Sequence, residues 1–286
     1  MTLPINDTVV TYPTGATSGT ATVLHVEKIG DVFAVLLDTT PVHPVDAGWP
    51  DQPADRASFE WNGGRADVTD CLVAATDGET LALGAEIPVR KGTEGWAFVA
   101  AHVVTEAPPD GMVVTVDVDD KFRRALSIGH TGCHLASLAL NRALADRWAK
   151  TVREDALGSP NFDAEANDVS RILENGSRDT YRLGKSLRKK GFRTDGFADG
   201  LAAVEDAINA SLQSWVGAKL PVRIDRDGDR LTDRRYWVCE FPEGAARIPC
   251  GGTHANDLGE LKGLTARLSL EDHEGTPVLV METTSA

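Results

Sequence analysis

Two short motifs hold the residues of this chain best suited to chemistry. His130-Thr131-Gly132-Cys133-His134 sets two imidazoles four residues apart. About 120 residues later, Cys250-Gly251-Gly252-Thr253-His254 repeats that step with a thiolate and an imidazole. The 286 residues include only seven His and four Cys, so four of those eleven paired at one spacing reads as the donor set of a transition-metal site, zinc above all. On a helix, positions i and i+4 differ by roughly 40°, which would project His130 and His134 from one face. The glycines of the second motif read as a tight loop bringing Cys250 and His254 together. Either motif alone has a bland reading, a core histidine or a wet helix face. Together they predict one zinc per chain held by His130, His134, Cys250 and His254. Gly129 and Gly132 fall inside an otherwise helical stretch, where each costs about 1 kcal/mol relative to alanine, and the expected compensation is close backbone approach by a ligand.

The surrounding composition is that of a soluble globular protein, 42% hydrophobic and 25% charged. No apolar run approaches a membrane span and no secretion signal opens the chain, so no membrane association is expected. Cys71, Cys133, Cys239 and Cys250 show no disulfide spacing, which makes a reducing cytoplasm the expected compartment. Neither a GxxxxGK[ST] loop nor a dinucleotide GxGxxG occurs, so no ATP requirement is expected. A net charge of −14 argues against broad nucleic-acid coating. One segment departs from it: Arg178, Arg182, Lys185, Arg188, Lys189, Lys190 and Arg193 against Asp179 leave a local balance of +6. Such a run is either a solvated face or the place where a polyanion is directed and its register set.

The elements that must position these groups divide at about residue 118. Up to there, β-rich runs at Ala21–Val26, Val32–Leu37, Ala57–Trp61, Cys71–Ala74, Ala97–Val104 and Met112–Val118 alternate with Gly, Asp and Pro clusters, predicting a small closed β-barrel over residues 1–118. From 119 the period becomes helical, and a helix from Lys121 to Thr151 would carry the first motif. The stretch Glu154–Gly200 is polar and turn-rich, with a helix expected at Arg178–Lys190. A second helix is expected at Leu201–Val216, and strands at Val222–Ile224, Arg235–Glu240, Leu264–Leu270 and Val278–Glu282. Residues 119–286 thus read as an α+β domain whose sheet supports the CxxxH loop.

These motifs resemble one family closely: the editing domain of alanyl-tRNA synthetase and its free-standing AlaX-type relatives. That family has an HTxxH helix after an arginine-rich approach, here Arg123-Arg124 then His130-Thr131-Gly132-Cys133-His134-Leu135, and a distant CGGTH loop, here Ile248-Pro249-Cys250-Gly251-Gly252-Thr253-His254. Asp206-Ala207-Ile208-Asn209 and Leu258-Gly259-Glu260 are similar to further family segments. Ala21-Thr22-Val23-Leu24 and Leu37-Asp38-Thr39-Thr40-Pro41 resemble the translation-factor-type barrel that precedes the editing domain. Residues 154–200 are unmatched, and Pro44–Asp51 keeps only Gly48 and Pro50 of the family's glycine-rich turn. At Cys133 the family more often has glutamine, alanine or threonine.

The resemblance implies a metal-dependent aminoacyl-tRNA editing domain at 119–286, following the barrel at 1–118. It implies a trans-acting hydrolase that deacylates serine or glycine wrongly attached to alanine-specific tRNA. Thr131 is then either the reader of the serine hydroxyl or a helix-interior threonine bonding back to a carbonyl. Gly251 and Gly252 either present N–H groups to a developing oxyanion or only permit the turn. Cys133 is a nearby thiol, a competing ligand or a packing residue. The basic residues from Arg178 to Arg193 would contact tRNA. Two rival readings stand beside this one: a zinc hydrolase of a small ester or amide, and a zinc-stabilised tRNA-binding module without catalysis.

Overall fold

Along Val113–Val118 every second residue is buried, Val114, Val116 and Val118 inward and Val113, Thr115 and Asp117 outward, the period of a half-buried strand. In the computed structural model, which describes residues 2–286, six strands form a ring: β1 (Ser18–Ile29), β2 (Val32–Leu37), β3 (Ala57–Trp61), β4 (Gly64–Thr76), β5 (Ala97–Val104) and β6 (Val113–Val118). β1 pairs with β2, β2 with β5, β5 with β4, β4 with β3, β3 with β6 and β6 with β1, all antiparallel. This is the closed barrel expected from the strand spacing, and closure leaves no unpaired sheet edge in the ring. Val23, Val35, Leu37, Phe59, Val68, Val104, Val114 and Val116 fill it. β1 and β4 run well beyond the segments legible in the sequence, because polar and charged residues such as Ser18, Thr20, Glu27, Lys28, Arg65 and Asp67 pair alongside the apolar ones.

The barrel belongs to the first of two compact units, residues 2–123 with 226–235 and 251–253. Within that unit Arg123 is buried against Asp55, its Nε donating to Oδ1 at 2.7 Å and its Nη2 to Oδ2. Nη2 also donates to the Pro41 carbonyl at 2.8 Å. Asp55 further accepts the His43 N–H at 2.5 Å. A buried guanidinium needs this degree of satisfaction, since removing either partner would leave an uncompensated charge.

The second unit comprises residues 124–225, 236–250 and 254–286. Its chain order is α1 (Asp120–Ala143), α2 (Phe162–Ala166), β7 (Asn167–Leu173), β8 (Gly176–Arg182), α3 (Lys185–Lys189), α4 (Leu201–Gly217), β9 (Val222–Arg226), β10 (Arg235–Phe241), β11 (Gly244–Pro249), β12 (Thr265–His273) and β13 (Thr276–Thr284). Four strands form an antiparallel sheet in the order β7-β8-β13-β12, and three form a second in the order β9-β10-β11. Leu135, Leu138, Leu140, Tyr181, Ile208, Leu212, Trp237, Leu279 and Met281 belong to one core cluster. The protein is thus α+β, and among the described residues no helix is long and apolar enough to cross a membrane.

Three expectations are corrected. The first helix stops at Ala143 and tightens into a 3₁₀ turn at Ala145–Arg147 rather than reaching Thr151. The helix expected at Arg178–Lys190 is instead strand β8 followed by the five-residue α3. Ser177, Asp179 and Tyr181 point inward along β8, so its period of two is carried partly by polar residues and is invisible to a hydrophobicity count. A local signal did exist: Glu174 and Asn175, the latter with φ of 57°, form the two-residue turn of the β7–β8 hairpin, across which Leu173 pairs with Gly176, and asparagine is among the residues that tolerate such turns.

The third correction concerns the helix glycines. A Cβ on Gly129 would lie 2.3 Å from the Leu173 carbonyl oxygen and 2.4 Å from that of Gly176, and one on Gly132 would meet Leu264 at 3.1 Å. The close approach is made by this chain's own β7–β8 hairpin and a core leucine, not by a ligand. Gly129→Ala is therefore expected to destabilise the protein by about 1–3 kcal/mol through overpacking, despite alanine's better helix propensity. Denaturant unfolding of the variant checks this, and an unchanged or raised midpoint would remove the packing explanation.

Candidate metal centre

His130 and His134 lie one turn apart on α1, their ring centroids 5.0 Å from each other. β11 ends at Pro249, and the next five residues turn through Cys250 to His254. Cys250 Sγ lies 3.4 Å from His130 Nε2 and 3.2 Å from His254 Nε2. The His254 ring is 4.3 Å from that of His130 and 5.0 Å from that of His134. One donor atom from each of the four residues falls within 4.8 Å of all the others. Four donors around one ion with bonds of about 2.0–2.3 Å stand about 3.5 Å apart in a tetrahedron, so the set fits a single transition-metal ion. All four residues belong to the second unit. His130 is buried, while His134, Cys250 and His254 are partly exposed, which leaves the cluster reachable from solvent. Trp237 on β10 is fully buried and stacks on His134 with centroids 5.2 Å apart.

Thr131 is fully buried between the two helical donors. Its hydroxyl donates to the Ser127 carbonyl at 2.8 Å, accepts the Ala255 N–H at 3.0 Å, and lies 3.2 Å from His254 Nδ1. With its one proton committed to Ser127, the hydroxyl accepts from His254 Nδ1–H. That tautomer leaves Nε2, the atom facing Cys250, unprotonated and able to ligate. The back-bond to Ser127 is the one expected of a helix-interior threonine, and the bond to His254 adds a task beyond it. Thr253, immediately before His254 in the chain, lies in the first unit and is gripped there by Gln52: its N–H donates to Oε1 at 3.0 Å and its Oγ1 accepts from Nε2 at 2.9 Å.

Cys133 stands apart from the donor set. Its thiol is buried and bonds Asp179 at 3.5 Å, and Asp179 also accepts from Ser170 at 2.5 Å and Ser177 at 2.8 Å. Burial pushes the Asp179 carboxyl up to about 6, against the opposing pull of the Ser170 and Ser177 hydroxyls. Gly251 is exposed and Gly252 buried, and neither has positive φ. The basic segment is split between elements. Arg178 on β8 pairs with Glu271 at 2.8 Å and Glu282 at 3.3 Å, and Lys190 pairs with Glu165 at 2.5 Å. Arg182 is 3.9 Å from Asp168. Arg193 donates to the Asp146 carbonyl. Lys185, Arg188 and Lys189 are exposed on α3.

Gln52, Asp179 and Trp237 were not read as site residues from sequence. No local pattern marks Gln52, whose partner is 201 residues away. In the sequence Asp179 is a lone acid among seven cations, and Trp237 falls within a strand expected only as support.

No protein-family model matches the chain. The chain is similar to alanine–tRNA ligases: that of Pyrobaculum neutrophilum is 30% identical over 159 residues, 53% of this chain and 15% of the ligase. That of Nocardioides sp. is 26% identical over 235 residues, 81% of this chain and 22% of the ligase. That of Methanopyrus kandleri is 26% identical over 236 residues, 82% of this chain and 21% of the ligase. The chain thus spans about a fifth or less of the length of these curated relatives. The similarity supports a domain related to alanyl-tRNA synthetase.

Two outcomes follow from the geometry around the donors. Thr131→Val keeps the volume but releases His254 Nδ1, so metal affinity measured by chelator competition should fall about 10–100-fold; an unchanged affinity would mean that the hydroxyl does not orient His254. The raised Asp179 pKa favours the protonated folded state, so its contribution to stability is present below about pH 4 and is lost as pH rises through about 6. Asp179→Asn lacks this dependence and should gain, relative to the parent, about 3 kcal/mol between pH 4 and pH 7. Urea unfolding of both proteins across that range reads the difference, and parallel pH profiles would contradict it.

Proposed function

We propose that this protein is a trans-editing hydrolase of the cytoplasm that deacylates mischarged Ser-tRNA(Ala), with Gly-tRNA(Ala) as a second substrate. The observation that carries the proposal is the convergence of His130, His134, Cys250 and His254 in a chain similar to alanine–tRNA ligases. Three imidazoles and a thiolate suit zinc, one ion per chain. When bound, zinc supplies Lewis acidity toward an acyl carbonyl and lowers the pKa of water.

The chain's own residues divide the remaining work. Thr131 holds His254 in its ligating tautomer, so the substrate hydroxyl is read elsewhere. Gly251 has ordinary φ, and a Cβ built on it meets nothing within 4 Å. Neither the turn nor the packing therefore requires glycine there. That supports close approach of substrate, with the N–H groups of Gly251 and Gly252 offered to the acyl oxygen. Cys133, bonded to Asp179, supports the helix beside the donors. The exposed cations Arg182, Lys185, Arg188 and Lys189 of the Arg178–Arg193 segment contact the tRNA.

A second reading has one observation in its favour. Four donors within mutual reach describe a closed structural site, as in a zinc-stabilised tRNA-binding module without catalysis. Incubation of purified protein with Ser-, Gly- and Ala-charged tRNA(Ala), with and without chelator, separates the two. Editing predicts release of serine and glycine, sparing of alanine, and loss of at least 100-fold in rate after metal removal, about 2.7 kcal/mol. Gly251→Ala should retain thermal stability and metal content while slowing deacylation about ten-fold. Bound but undeacylated tRNA would establish the module reading instead.

A further inference from the structure

A cleft of about 600 Å³ opens in the second unit, lined by Arg182, Lys185 and Arg188 together with Gly184, Ser186 and Thr276. Its size falls in the range of about 300–1,000 Å³ typical of ligand-sized sites. The seven cations of residues 178–193 are not equivalent around it. Arg178 is held by two glutamates, and Lys190 by Glu165, whose carboxylate is the one acidic group in the lining. Arg182 has one distant partner, Asp168 at 3.9 Å. Lys185 and Arg188 have no carboxylate partner among the described residues. Of the cations not held by a close carboxylate, Arg182, Lys185 and Arg188 line the cleft and Lys189 and Arg193 lie outside its lining, in a chain whose net charge is −14.

We infer that this cleft is the phosphate-binding site of the protein, seating backbone phosphates of the tRNA through Arg182, Lys185 and Arg188, while Arg178 and Lys190 serve as internal ion pairs. The inference rests on the editing proposal for the identity of the polyanion. A guanidinium can grip a phosphate through two parallel N–H bonds, and the lysine adds a mobile point charge. The net charge of −14 disfavours nucleic acid over the surface as a whole, so a local cluster of positive charge also sets where the strand lies.

The test is fluorescence-anisotropy titration of uncharged bulk tRNA at several salt concentrations, with Lys185→Ala/Arg188→Ala set against Arg178→Ala. Both positions of the double variant are exposed on α3, and Lys185→Glu alone serves as a second variant should the double one lose stability. The double variant should bind at least ten-fold more weakly, with the salt slope reduced by about 1.4–1.8 for two lost phosphate contacts. Arg178→Ala should change affinity less than two-fold. Equal losses in both variants, no loss in either, or no tRNA binding by the parent protein would overturn the assignment. Deacylation is scored separately: cleft-dependent tRNA binding with no hydrolysis of Ser- or Gly-tRNA would sustain the cleft and sink the editing activity, and the converse pattern would do the reverse.

Discussion

The candidate metal centre depends on one hydroxyl. Thr131 Oγ1 joins the Ser127 carbonyl of α1, the Ala255 N–H beyond the loop and the His254 ring. These bonds use the hydroxyl's one proton and two acceptor sites in full. Because the group is completely buried, each bond is worth more than in water, and each would be costly to leave unmade. The result is that two donor pairs about 120 residues apart in the chain arrive with compatible distances and one defined tautomer. A loop ordered only by its own backbone would not hold Nε2 of His254 toward Cys250.

The helix that carries His130 and His134 is shaped by packing rather than propensity. Gly129 and Gly132 weaken α1 as an isolated helix, yet Gly129 lets the β7–β8 hairpin backbone come within distances that a Cβ would forbid, and Gly132 makes room for the Leu264 side chain. Close contact on that side is bound up with the hairpin, whose inward residues Ser177, Asp179 and Tyr181 bring polar groups into the core. Asp179 is tolerated there because Ser170, Ser177 and Cys133 satisfy it, and its elevated pKa measures how incompletely they offset burial.

Charge is arranged by the same logic of partners. A run of seven cations in sequence is divided by folding: Arg178 and Lys190 are paired with carboxylates, Arg182, Lys185 and Arg188 line a cleft, and Lys189 and Arg193 lie outside it. Strand pairing aligns Arg178 directly with Glu282, and that alignment removes it from the available surface. The cleft cations, lacking such neighbours, keep their charge for a ligand.

Much of this was legible without coordinates. Short-range spacing identified His130, His134, Cys250 and His254 because the i, i+4 step is a local geometric property of helices and tight loops. Alternation and turn residues likewise identified the barrel strands, since period and punctuation are written in adjacent residues. What sequence could not decide were outcomes set by distant neighbours. The β8 strand was hidden because its inward face is polar and satisfied by groups from other elements. Gly129 of α1 answers to the distant β7–β8 hairpin and Gly132 to Leu264, and Gln52 meets Thr253 across 201 residues. Residue types and spacing thus determined which four groups form the candidate donor set. Only tertiary structure decided which hydroxyl orients a ligand, which carboxylate is buried and which cations remain free, because burial and pairing depend on what the fold brings alongside.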